Sequence, residues 1–126
     1  MTYQTLLLAV TERLRTGGLQ DPSFEARQLL QEALGINTTQ LILMGEQELT
    51  KTQVDRVLSW ADRRRTGYPL AYLSGRRGFY KSVFEVKEGV LIPRPETELV
   101  VELATQRAPK DIRKMADFGC GTGCIG

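Results

Sequence analysis

Histidine is absent from this 126-residue chain, and that absence removes the commonest general base and the commonest metal ligand. Hydrolysis through a histidine-centred triad is therefore excluded. Cysteine occurs twice, at Cys120 and Cys124, and two thiolates without histidine make a poor zinc site, which takes four protein ligands or three and a water. The two cysteines read as small residues beside a ligand, and no disulfide is expected in a reducing compartment. No run reaches the apolar length of a membrane span. Met1-Thr2-Tyr3-Gln4 lacks the basic region and small-residue cleavage site of a secretory signal, so the expected compartment is the cytoplasm, with no metal and no membrane. Strong charge is missing too: 17 basic against 15 acidic residues leave a net charge of +2, too mild a balance to predict nucleic-acid binding. The basic runs Arg63-Arg64-Arg65 and Arg76-Arg77 read as a solvated helix end and a loop.

What is present is helical patterning first. Leu6, Leu7, Val10 and Leu14 form one stripe from Thr2 to about Arg15, ended by Gly17-Gly18. Asp21-Pro22 offers a cap followed by proline in the first turn, and Ala26, Leu29, Leu30, Ala33 and Leu34 make a second stripe closed by Gly35. Asn37 or Thr38 can cap a brief third helix through Leu41 to Met44. Thr50 with Gln53 is a capping-box pattern for a fourth, carried by Val54, Val57, Leu58 and Ala61. Pro69 starts a last short helix that Ser74-Gly75 ends. Residues 1–75 are thus expected to form a small helical bundle whose leucines are all used inside. It carries no chemical constellation of its own, which leaves it a docking or recognition role.

The pattern changes at Gly78. Phe79-Tyr80 and Val83-Phe84-Glu85-Val86, split by Lys81-Ser82, predict a β-hairpin connector over residues 76–92. Two prolines then hold Ile92-Pro93-Arg94-Pro95-Glu96-Thr97-Glu98 extended and fix Arg94 between them. Leu99, Val100, Leu103 and Ala104 continue as a helical stripe that stops before Pro109. The proline-framed stretch fits either a stiff spacer or one wall of a cleft formed by Arg94, Pro95, Glu96, Thr97 and Glu98.

The last stretch organises the rest. A short apolar strand is predicted from about Lys114 to Phe118, breaking into Gly119, Gly121 and Gly123, as a parallel strand does when it enters a loop that presses its backbone on a ligand. The spacing is Asp-x-Gly-x-Gly-x-Gly, with Cys124 where a dinucleotide site would carry its third glycine. This tilts the ligand from NAD toward S-adenosylmethionine, although a glycine turn without ligand fits the same residues. The chain reaches Gly126 before a following helix and before a second strand whose acidic end, about 20 residues on, would hold the ribose hydroxyls. The expectation is therefore the front portion of a longer protein.

Gly67-Tyr68-Pro69-Leu70-Ala71-Tyr72-Leu73-Ser74-Gly75, Phe79, Val90-Leu91-Ile92-Pro93-Arg94-Pro95-Glu96-Thr97-Glu98 and Asp117-Phe118-Gly119-Cys120-Gly121-Thr122-Gly123 together resemble the release-factor glutamine methyltransferases, the HemK or PrmC family. The glycine loop is common to many methyltransferases, and Ile92 to Glu98 in that order is far more specific. The resemblance implies an α+β fragment: a helical substrate-recognition domain over 1–75, a hairpin connector over 76–92, and from 93 to 126 the beginning of a Rossmann-like α/β methyltransferase domain. It also implies methyl transfer from S-adenosyl-L-methionine to the glutamine of the Gly-Gly-Gln motif in class 1 peptide chain release factors, with no direct nucleic-acid partner. Asp117, Gly119, Cys120, Gly121, Thr122 and Gly123 would bind the cofactor, and Arg94 to Glu98 would lie near cofactor and substrate. The family orients the glutamine amide with an Asn-Pro-Pro-Tyr stretch that these residues do not contain, so this chain by itself is expected to be non-catalytic. Two other readings remain open at this stage, a stand-alone release-factor-binding module and an adenine-directed or other amino methyltransferase.

Overall fold

Four of the helices begin on a side chain that accepts a backbone amide, which is why they start where they do. The structure is a computed structural model describing residues 1–126, and it divides into two compact units, Met1–Ser74 and Gly75–Gly126.

In the first unit, Thr2 caps α1 (Tyr3–Thr16), Asp21 caps α2 (Pro22–Leu34), Asn37 caps α3 (Thr38–Leu43) and Thr50 caps α4 (Lys51–Arg65). At Asn37 and Thr50 the box closes both ways, because Gln40 and Gln53 return a side-chain oxygen to the cap amide at 2.9 and 3.0 Å. Gly35 ends α2 at φ 67°, a left-handed cap that also lets Ile36 N–H reach the Gln31 carbonyl. A short α5 (Leu70–Ser74) follows.

The core is the meeting of three stripes. Tyr3, Leu6, Val10 and Leu14 line one face of α1, Ala26, Leu29, Leu30 and Ala33 one face of α2, and Val57 and Ala61 the facing turns of α4. The three helices pack against one another pairwise, and Ala26, Ala33 and Ala61 are among their buried residues. Gly17, just past α1, stands so near the end of α4 that a Cβ there would lie 2.8 Å from Arg65 Cβ and from its carbonyl oxygen. Polar ties flank the apolar layer. Arg64 grips both carboxylate oxygens of Glu25 at 3.2 Å, and Arg13 meets Asp62 at 2.9 Å. The start of α1 is pinned to the segment before α4: Leu49 N–H donates to the Met1 carbonyl at 3.0 Å, and the Met1 ammonium meets Glu48 at 2.7 Å.

One expectation about this unit is corrected. The third stripe is not used inside, for Leu41 is buried while Ile42 and Leu43 are 76% and 77% exposed. At 3.6 residues per turn successive side chains stand about 100° apart, so three consecutive apolar residues fan around the helix, and α3, packed on α2, turns only Leu41 inward.

The second unit opens with an antiparallel hairpin, β1 (Arg76–Phe79) and β2 (Ser82–Glu85), in the register Arg76↔Glu85, Arg77↔Phe84, Gly78↔Val83 and Phe79↔Ser82. Tyr80-Lys81 is the turn, one residue earlier than the break expected at Lys81-Ser82. A single 3₁₀ turn (Pro95–Thr97) leads into α6 (Glu98–Arg107). The strand expected from Lys114 to Phe118 does not form. A strand exists by its ladder, and the only ladder in this chain is the one between β1 and β2. The apolar residues meant for a sheet stand in solvent instead, Met115 at 71% and Phe118 at 94% exposure, and α6 buries none of its residues.

Two adjacent glycines separate crowding from backbone strain. Gly17 has an ordinary φ of −80°, so Gly17→Ala is expected to destabilise through overlap with Arg65 by about 1–3 kcal/mol. Gly18 has φ +79° and open space around it, so Gly18→Ala is expected to cost about 1 kcal/mol from backbone strain alone. Urea melts of the two variants, with a structure of Gly17→Ala showing α4 displaced, check this.

Candidate functional site

The second unit carries both stretches singled out from the sequence. Beyond the extended Met115-Ala116-Asp117, the chain turns at Phe118-Gly119 and again at Gly121-Thr122. The φ angles of Gly119, Gly121 and Gly123 are 66°, 56° and 79°, all left-handed. An L side chain in that region costs roughly 1–2 kcal/mol per residue, so the three alternating glycines are set by this backbone path. The Gly123 N–H donates to the Cys120 carbonyl at 2.8 Å and closes the tip. Apart from the adjoining residues, nothing lies within 4 Å of where a Cβ would be at Gly119 and Gly123, and at Gly121 the nearest atom is Val90 Cγ1 at 3.8 Å. The glycines leave open space on the loop that the chain itself does not fill. Cys120 is an exposed free thiol, whereas Thr122, Gly123 and Cys124 are half-buried.

At the base of the loop, Asp117 Oδ2 is buried with no hydrogen-bond partner. Buried carboxylate oxygens are nearly always paired, and one left unpaired costs about 1–3 kcal/mol. Such an atom beside a glycine loop fits a cationic ligand group, and the ammonium of an amino-acid ligand matches it in charge and donor count.

The proline-framed stretch is placed differently. Pro93 is buried, Arg94 is extended at φ −104° and ψ 140°, and Thr97 N–H returns to the Arg94 carbonyl at 3.1 Å across the 3₁₀ turn. Arg94, Pro95 and Glu96 are exposed, and Thr97 and Glu98 are half-buried. Glu98 does not point into solvent toward a ligand with both oxygens, because Oε1 accepts the Tyr80 N–H at 2.7 Å. Tyr80 is the one non-glycine residue of the chain with a positive φ, at 55°. That conformation costs roughly 1–2 kcal/mol, and a charge-assisted bond at partial exposure offsets about 1 kcal/mol of it. Sequence reasoning missed Tyr80 and Val90 as partners of the two stretches. Neither residue type announces the role, and a glycine or asparagine at position 80 would have been the usual signal of such a turn.

A concavity lies on the helical unit. Tyr3, Leu7, Arg27, Leu41, Ile42 and Glu46 contribute to a groove of about 330 Å³ between α1, α2 and the end of α3. It is mainly apolar with one charge of each sign at its edge. No group of three or more cysteine, aspartate or glutamate residues is placed to hold a metal, and no helix is long and apolar enough to cross a membrane.

Comparison with known proteins follows the same division of the chain. Residues 5–75 match the PrmC N-terminal domain family. Over nearly all of its length the chain is similar to proteins named release factor glutamine methyltransferase. The one from Moorella thermoacetica is 39% identical over 126 residues, covering 99% of this chain and 44% of the relative. That of Escherichia coli is 36% identical over 125 residues, with 99% and 44% covered. That of Caulobacter vibrioides is 34% identical over 118 residues, with 93% and 41% covered. The chain thus spans less than half the length of these relatives.

Because Asp117 Oδ2 is buried without a hydrogen bond within the chain, Asp117→Ala removes that cost and is expected to stabilise the 126-residue chain by about 1–3 kcal/mol in urea titration. A loss of 2 kcal/mol or more would show that the carboxylate has a structural partner.

Proposed function

Because this chain belongs to the PrmC N-terminal domain family, with relatives named release factor glutamine methyltransferases, we propose that the protein it is part of methylates a glutamine side chain of class 1 peptide chain release factors. The methyl donor in this reading is S-adenosyl-L-methionine, which supplies an electrophilic methyl group on a sulfonium. The observation that supports it best is the unpartnered Asp117 oxygen at the base of a loop with three left-handed glycines.

The residues would divide the work as follows. Asp117 takes the donor's ammonium, and the backbone from Gly119 through Cys120, Gly121 and Thr122 to Gly123 lies against the donor without a Cβ at the alternating positions. Arg94, Pro95, Glu96 and Thr97 border the acceptor side, held stiff by Pro93 and Pro95 and closed off at Glu98, whose carboxylate is turned to the Tyr80 N–H. Residues 93–126 are then the start of a Rossmann-like methyltransferase domain, residues 76–92 its connector, and residues 1–75 a recognition domain. The exposed Ile42 and Leu43 beside the α1–α2–α3 groove favour a protein partner for that domain.

An amide nitrogen is a weak nucleophile because its lone pair is conjugated, so the acceptor must be held in line with the methyl group and its developing charge stabilised. Residues 1–126 contain no Asn-Pro-Pro-Tyr stretch, the element that the family resemblance assigns to that task. The 126-residue chain alone is therefore proposed to be inactive, and the cytoplasm, where release factors act, is the proposed compartment.

The test uses the full-length protein with a methyl-labelled donor and an intact release factor. Label is expected on the Gly-Gly-Gln glutamine and not on a factor with that glutamine replaced by alanine, while the 126-residue chain transfers none. Gly121→Val is expected to lower transfer about a hundredfold by displacing the donor. Label on DNA adenine, or saturation by NAD without methyl transfer, would overturn the reading.

A further inference from the structure

We infer that Glu98 is a positioning residue, which through the Tyr80 backbone clasps the hairpin turn to the start of α6 and so sets where Arg94, Pro95 and Glu96 stand for the methyl acceptor; this role rests on the methyltransferase reading above. Three observations carry it. The 2.7 Å bond joins residues 18 apart in sequence. It satisfies an amide that the ladder leaves over, since pairing ends at Phe79↔Ser82 and Tyr80 lies beyond it. It falls on the one non-glycine residue held at positive φ, where the turn has most need of an outside bond.

The geometry makes a closed ring of chain. From Tyr80 the backbone runs through β2, turns at Lys87 to Val90 with the Val90 N–H on the Lys87 carbonyl at 3.0 Å, passes Pro93-Arg94-Pro95, and returns to Tyr80 through the Glu98 side chain. Arg94 and Glu96 sit on the last, stiffest arc, between the buried Pro93 and the clasp. Val90 lies on the same ring and reaches toward Gly121. Opening the ring at Glu98 frees the arc without removing any residue that faces the acceptor.

The experiment measures steady-state kinetics of the full-length protein with an intact release factor as acceptor. Glu98→Ala is expected to raise KM for the acceptor about tenfold with kcat changed less than about threefold. Glu98→Gln keeps an oxygen acceptor for the Tyr80 N–H and is expected to stay within about threefold of wild type. Tyr80→Gly added to Glu98→Ala is expected to recover most of the KM loss, because glycine holds the turn without the clasp. Glu98→Gln as damaging as Glu98→Ala, no recovery by Tyr80→Gly, or unchanged kinetics in Glu98→Ala would each overturn the role. Amide exchange at Tyr80 is read in parallel and is expected to quicken about tenfold in Glu98→Ala. Equal exchange in both proteins sinks the clasp alone, whereas a wild-type protein without methyl transfer sinks the reaction assignment and the positioning role with it.

Discussion

The shared apolar face of α1, α2 and α4 is the constraint from which the helical unit follows. Leu6, Val10 and Leu14 can be withdrawn from water only if α2 and α4 close on both sides of α1, and the alanines at 26, 33 and 61 let the backbones come near enough to do so. Gly17 and Arg65 show how little slack remains at one end of that face. With about 75 residues to work with, the unit has a single core layer and supplements it with the Arg64–Glu25 fork, most of which is out of solvent. Short α3 is left at the margin, giving Leu41 to the core and keeping Ile42 and Leu43 outside.

The second unit lacks any such shared face. Its α6 has an apolar stripe at Leu99, Val100 and Leu103 but no partner for it in this chain, and the segment at 114–118 has β-favouring residues but no ladder. Local contacts hold this unit instead: a four-pair hairpin, a 3₁₀ turn opened by Pro95, one carboxylate-to-backbone bond and a glycine loop closed on itself. This makes the neighbourhood of the glycine loop the softer part of the molecule.

That contrast explains what could be read from residues alone. Helix starts were legible at α2, α3 and α4 because Asp21, Asn37 and Thr50 are local signals acting over three residues, and the stripes of α1, α2 and α4 because each repeats over three or more turns. Ile42 and Leu43 misled because a run of consecutive apolar residues does not say which of them faces a neighbouring helix. The strand at Lys114 misled because its pattern is a statement about a neighbouring strand, and strand pairing is non-local. At the site, the left-handed glycines were written in the spacing of 119, 121 and 123. The orphaned oxygen of Asp117 and the reach of Glu98 to Tyr80 depend on how distant segments fold back, which no local pattern encodes.

The pinning of Met1 bears on how the protein is handled. Its charged amino group and its carbonyl both serve the segment at Glu48 and Leu49, so the first residue is structural at two atoms. A purification tag fused ahead of it would turn the ammonium into a neutral peptide bond and draw a flexible tail across that corner of the helical unit.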